Sequence, residues 1–342
     1  VLAYIFKSGS GAFAGADAEL VKNLCGGLAG AWQATAFWHT LFMALTVIVG
    51  AQGVERGLEK AVTAMVPALV GLLLVLLGYS AATGEFEMGV RFMFEPDWSK
   101  VDGGTVLAAL GQAFFTLSIG MGCVMAYGAY LPQETSIPIT SLAVVTADTS
   151  IAILSGLVIF PIVFANGLDP GSGPGLIFRT LPAAFVGMSG GAVFGALFFI
   201  LLAFAAVTSI IAIIAPIVAY AEGKWGMTRR NGCIVFGTLA WAIGLATVLS
   251  FNLWADYTWS VPFLFKDKNF FDTLDFVTAN LMLPLGGLFI AIFASWLMKE
   301  SSTRDELNTH NIIYRVWYFL VKYITPIAVI IVFLNVIGII EL

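Results

Sequence analysis

Residues 105–130 read TVLAALGQAFFTLSIGMGCVMAYGAY. The run is apolar enough to cross a bilayer, yet Gln112, Thr116 and Ser118 interrupt it, and Gly120 and Gly122 follow close by. As one continuous helix it would extend roughly 39 Å against about 30 Å of hydrocarbon, which leaves slack for a break. Glycine is poor in a helix interior, and two of them beside a serine loosen the backbone. Bared N–H and C=O groups at that depth cost several kcal/mol each unless they face protein or a watery cavity. Either the helix breaks here and lines a binding cavity, or the glycines only let neighbouring helices approach closely.

The whole chain shares this character: 59% of its 342 residues are hydrophobic, 11% are charged, and mean hydropathy is +0.94. A soluble domain carries about 25% charged residues, so composition predicts an all-α integral membrane protein with many spans. The net charge of −5 carries no sign of a nucleic-acid partner. Cys25, Cys123 and Cys233 are odd in number and scattered, which makes neither a disulfide framework nor a metal site. The absence of any Asn-X-Ser/Thr sequon agrees with a bacterial origin.

VLAYIFK at the start reads as the last turns of a span, with no basic segment or cleavage site, so a preceding part is expected to be missing. Apolar helices are expected at about 34–52, 58–82, 138–165, 191–221, 231–250, 273–298 and 312–340, which with the central stretch makes eight spans in one membrane domain over residues 1–342. Residues 166–190 hold an apolar run between Pro174 and Pro182 that is too short to span, and are expected to lie on or dip into the protein as an extracellular lid. Slightly more than half of the Lys and Arg residues fall in the loops near 55, 225 and 305, which places those loops and the one near 134 in the cytoplasm.

Three spans carry oxygen-bearing side chains near their midpoints: Thr116 and Ser118 in the central stretch, Asp148 in TADTSIAIL, and Thr208 with Ser209 in FAAVTSIIAIIAP. A carboxylate at the bilayer centre costs about 2.5–3.5 kcal/mol, so Asp148 needs a cation, a proton or water beside it. Hydroxyls and carbonyls around a carboxylate suit a hard cation such as Na⁺. The plainer alternatives are a protonated Asp148 tying two helices together and hydroxyls bonded to their own i−4 carbonyls. Enzyme chemistry finds no support: Gly187-Met-Ser-Gly190 has the short pattern of an intramembrane serine protease, but His39 and His310 lie at or near the ends of their spans. There is no His-Glu-X-X-His and no second intramembrane aspartate.

At GQAFFTLSIGMG the chain resembles the neurotransmitter:sodium symporter family, the leucine-transporter-like amino-acid carriers of bacteria. Further matches are GVERGLEKAVTAMVP at 53–67, PDWSK at 96–100, GPGLIFRTLP at 173–182, VTSIIAIIAP at 207–216 and KYITP at 322–326. The resemblance implies the leucine-transporter fold of inverted five-helix repeats, an architecture of broken helices with binding sites near the bilayer midplane. It makes the first residues the end of helix 3 and the later spans helices 4 to 11. It also implies a substrate pocket lined by Phe115, Ser118, Met121, Ser209 and Ile213. Two sodium sites are implied, one using Thr116 and Asp148 and the other Thr208, Ser209 and the carbonyl of Ala205. Phe115 and Asp275 would belong to an outer gate and Tyr130 to an inner one. The family's inner-gate aspartate position reads Gly223, and Glu222 beside it points about 100° away on a helix. Asp148 and Ala152 stand where chloride-dependent members have Asn and Ser, which implies transport without chloride, with Gln112 as a neutral neighbour.

The expected function is therefore sodium-coupled symport of a small neutral or hydrophobic amino acid by alternating access, in the inner membrane of a bacterium. The partners are the amino acid, sodium ions and the lipid bilayer, with oligomeric state open. The alternatives are a proton-coupled carrier with Asp148 titrating, and a non-transporting fragment lacking half its binding site.

Overall fold

The computed structural model describes residues 1–11, 26–28, 30–52, 60–129, 131–132, 134–168, 170, 175–186, 188–262 and 264–336. Helices α1 (Leu2–Gly9), α2 (Trp32–Ala51), α3 (Lys60–Thr83) and α4 (Phe86–Phe94) come first. The central stretch is divided between α5 (Gly103–Thr116) and α6 (Cys123–Gly128). Then follow α7 (Ile137–Ala165), α8 (Leu176–Val186), α9 (Gly191–Trp225) and α10 (Arg229–Leu249). A hairpin of β1 (Trp259–Val261) and β2 (Phe265–Lys268) leads to α11 (Phe270–Leu297), α12 (Glu300–Leu307) and α13 (Asn311–Asn335). Among the described residues seven helices, α2, α3, α7, α9, α10, α11 and α13, are long and apolar enough to cross a membrane. They fall where the sequence places continuous spans, and the broken central stretch is the remaining one.

The chain divides into two compact units, residues 1–96 with 150–254 and residues 97–149 with 255–342. In the first, α9 is packed by α1, α2, α3 and α10, and α10 also lies along α2. Its core joins Leu76 of α3, Val158 and Ile162 of α7, Leu181 of α8 and Phe199 of α9, all at most 1% exposed. Residues 166–190 contribute α8, whose Leu181, Ala184 and Phe185 are buried in this core. The Tyr4 hydroxyl donates to the Phe178 carbonyl at 3.1 Å, and Tyr79 donates to the Ser189 carbonyl at 2.9 Å. The segment is thus a short apolar helix pinned from α1 and α3.

In the second unit α11, α13 and α5 pack against one another. Asp102 caps α5, accepting from the Thr105 N–H at 2.7 Å while Thr105 reaches back to the Asp102 N–H in a capping box. That N–H, followed by the Thr105 hydroxyl, holds the Asp102 carboxyl below the ordinary carboxylate range. A depressed folded-state pKa means that the cap stabilises α5 above the unfolded value, and fades as pH falls through the lower one.

Prolines set the irregular turns. Three π-wound turns, Leu176–Thr180, Val277–Met282 and Leu320–Ile324, are each followed two residues later by a proline: Pro182, Pro284 and Pro326. Proline offers no N–H to the carbonyl one turn back and its ring crowds that carbonyl, so the preceding turn widens. Pro161 in α7 is handled differently. The Leu157 carbonyl, which Pro161 cannot serve, accepts from the fully buried Ser80 hydroxyl of α3 at 3.1 Å, and the Val158 carbonyl accepts from it at 3.0 Å. The Pro161 carbonyl accepts from the Glu85 N–H at 3.1 Å, and Gly89 lies against its ring, where a Cβ would stand 2.5 Å from Cγ. Ser80→Ala is expected to lower stability by about 1–3 kcal/mol, because a buried carbonyl loses its donor. In a Pro161→Ala background the helix supplies its own N–H, so the same substitution is expected to matter less. Equal losses of stability in the two backgrounds, measured by unfolding in detergent, would contradict this coupling.

Candidate functional site

The site begins where α5 stops. Thr116 is its last residue, residues 117–122 form successive turns, and the helix resumes at Cys123. Ser118, Gly120 and Gly122 have φ of 53°, 96° and 78°, a region glycine adopts freely and serine rarely. The turns keep part of the backbone paired: Ser118 N–H donates to the Phe115 carbonyl at 3.1 Å, and Ile119 N–H to the Phe114 carbonyl at 3.0 Å. The break leaves the carbonyl end of α5 and the N–H end of α6 close together in the chain, with partial negative and positive character.

Gly120 sits against α11 at the point where its π-wound turn gives way to α-helix. A Cβ on Gly120 would collide with the Leu283 carbonyl and stand 2.8 Å from the Gly287 nitrogen; one on Gly286 would collide with the Gly120 carbonyl. Sequence reasoning missed these α11 residues, although Pro284-Leu-Gly-Gly inside an apolar span was the available signal. Gly120 serves both readings at once, a break and a close helix approach, while Gly122 serves the break alone.

Within the same unit, the Thr116 hydroxyl donates to Asp148 Oδ1 at 3.0 Å and Oδ2 at 3.2 Å. Asp148, on α7, is half-buried and Thr116 exposed. Ser118 and Met121 are half-buried in the break, and Phe115 is exposed just before it. Phe115 and Gln112 line a cavity of about 410 Å³ with Asn280 and Pro284 of α11 and Val332 of α13. Asp275 is exposed on α11, two residues before its irregular turn. Tyr130 lies outside the described residues.

In the other unit, the Thr208 hydroxyl donates to the carbonyls of Phe204 and Ala205, both at 3.0 Å. This is the local back-bonding habit of membrane hydroxyls, and it puts the Ala205 oxygen beside the Thr208 oxygen. Ser209 and Ile213, four residues apart, share an exposed face of α9. Glu222 faces Arg229 of α10 at 3.6 Å, and Arg229 Nε donates to the Gly50 carbonyl at the end of α2 at 3.3 Å. Glu222 therefore has a cation of its own on α10, while Gly223 is exposed and leaves open space where its Cβ would be.

Gly286→Ala is expected to push the turn off α11 and lower stability by about 1–3 kcal/mol, as overpacking does. Ser118→Gly, which relieves a positive φ, is expected to leave stability unchanged or higher. Thermal unfolding of both variants checks this; a neutral Gly286→Ala would contradict the contact.

The sodium:neurotransmitter symporter family model matches residues 27–341. An uncharacterized sodium-dependent transporter of Bacillus subtilis (strain 168) is 34% identical over all of this chain and 75% of its own length. Another from Haemophilus influenzae is 29% identical over 87% of this chain and 65% of its length. The crystal structure of MhsT in complex with L-phenylalanine superposes with a TM-score of 0.88 at 37% identity, over 98% of this chain and 75% of that one. These relatives are transporters rather than enzymes, and the spans make this a multi-pass membrane protein of the same leucine-transporter fold. With its family model covering most of its length, the chain belongs to the sodium:neurotransmitter symporter family.

Proposed function

We propose that the full-length protein couples inward sodium movement to uptake of a neutral or hydrophobic amino acid by alternating access. The observation that carries the reading is the hydroxyl–carboxylate pair of Thr116 and Asp148 at the mouth of an interrupted helix, in a chain of this family. Hard oxygen donors around a carboxylate are the chemistry a sodium ion takes, and carbonyls at a helix end add to it. On this reading Thr116 and Asp148 ligate one sodium, and the Ala205 carbonyl, Thr208 and Ser209 ligate a second. On the same reading Phe115, Ser118 and Met121 are substrate-binding residues, as are Ser209 and Ile213. A relative solved with L-phenylalanine bound supports a hydrophobic substrate.

Phe115 and Asp275 act at an outer gate, and Tyr130 near an inner one. Residues 166–190 form the extracellular lid of a single transporter domain. Asp148 and Ala152 make the cycle independent of chloride, since a fixed carboxylate supplies the negative charge. The reading places the protein in a bacterial inner membrane.

A proton-coupled cycle is the competing reading, and it requires Asp148 to be protonated in turn. In the structure the Thr116 hydroxyl stands within hydrogen-bond distance of both Asp148 oxygens, a cluster of hard oxygens that supports the sodium reading. The test is uptake of labelled phenylalanine and leucine into proteoliposomes holding the full-length protein. An inward sodium gradient is expected to drive accumulation, with no loss when gluconate replaces chloride. Accumulation driven equally by a pH gradient in sodium-free buffer would contradict sodium coupling, and a chloride requirement would contradict the role of Asp148.

A further inference from the structure

The last turn of α11 is π-wound (Phe293–Leu297) and packs against the π-wound turn of α13 (Leu320–Ile324). There Lys322 Nζ stands 4.9 Å from the centre of the Trp296 ring, 5.0 Å from Tyr318 and 5.8 Å from Tyr323. The ammonium donates to the Tyr318 hydroxyl at 3.3 Å, and the Trp296 indole N–H donates to the Lys322 carbonyl at 3.3 Å. Among the described residues no carboxylate lies within ion-pair distance of this ammonium. A lysine placed this way, inside an apolar helix, has three rings and one hydroxyl for company, and the Glu300 carboxylate acts on it only from beyond ion-pair distance.

The side chains mark the level of the box. Along α13 exposed Asn311 and Arg315 are interleaved with exposed Ile312, Ile313 and Val316, and beyond Arg315 every exposed described position is apolar or aromatic, through Ile324, Ile327 and Ile330. Along α11 and just beyond it they pass from Phe289 and Phe293 to Lys299 and Glu300. The box thus lies about two turns beyond the last exposed charge of α13, Arg315, and is lined by Trp and Tyr, the residues that gather near membrane interfaces. Arg315 precedes Lys322 by seven residues and so shares its side of the helix.

We propose that this box seats the phosphate of an anionic phospholipid. An ammonium has three donors, and the structure gives one of them a partner oxygen, in Tyr318. The rings hold the lysine stem in place, so little side-chain freedom remains to be lost when an anion arrives. Arg315 adds a second positive charge towards the polar side, and Ile324, Ile327 and Ile330 offer an apolar track for the acyl chains on the other. That track favours a lipid over a free phosphate ion.

The experiment is thermal unfolding of the full-length protein in neutral detergent, titrated with phosphatidylglycerol, phosphatidylcholine or inorganic phosphate. Phosphatidylglycerol is expected to raise the unfolding temperature of the wild type, while the other two do not at matched concentration. Lys322→Gln is expected to raise the half-maximal phosphatidylglycerol concentration about fivefold, the weight of one basic residue at an anionic lipid surface. Lys322→Arg is expected to keep the wild-type response. Trp296→Leu opens the box without removing the charge and is expected to weaken the response at least about twofold, so it carries the test if Lys322→Gln does not fold. An unchanged phosphatidylglycerol response in the foldable variants, or an equal response to phosphatidylcholine, overturns the proposal. An equal response to inorganic phosphate overturns the lipid as its source.

Discussion

A main chain interrupted inside an apolar segment must find partners for the amides it bares, because lipid offers none. Residues 117–122 meet that constraint with tight internal turns and by pressing Gly120 onto α11. The contact is backbone against backbone, which is why both faces are glycine and why α11 meets the turn where its own winding changes. Thr116 is thereby fixed as the end of a helix, with its hydroxyl on the Asp148 carboxylate. Stability and the candidate site thus rest on the same few residues, and a change that closes the break would remove both.

The same demand recurs at the prolines. Where Pro161 silences one helical donor, a serine of α3 and a backbone amide from the start of α4 take over. Where Pro182, Pro284 and Pro326 do so, the preceding turn widens into π winding. One of those wide turns abuts the break and another forms the wall of the Lys322 box. Irregular backbone is therefore concentrated where the chain also places its polar and aromatic side chains.

The spans were legible because each is a long apolar run whose composition alone separates it from its loops, and the break was legible because Ser118, Gly120 and Gly122 violate helix preference in one short interval. The partner of the break was not. Gly286 and Leu283 lie more than 160 residues further on, and nothing local says that a glycine pair in α11 meets Gly120. The hydroxyl of Thr208 illustrates another limit: its type and depth left open both a ligand role and a bond to its own helix, and the structure shows it bonded to the Phe204 and Ala205 carbonyls. Glu222 was read against a missing gate acid, but its neighbour Arg229 is contributed by the next helix. The role of Thr116 towards Asp148 came from resemblance, and the hydrogen bonds between them are a tertiary feature that spacing cannot reveal.

The account stands on Asp148 and Thr116 holding an alkali cation at the interrupted helix. Equilibrium binding of radioactive sodium to the purified full-length protein, wild type against Asp148→Asn, tests it without any transport step. Removing the charge while keeping the shape is predicted to weaken sodium binding about tenfold or more, the weight of one interaction with a charged group. Identical sodium isotherms for the two proteins would contradict the assignment.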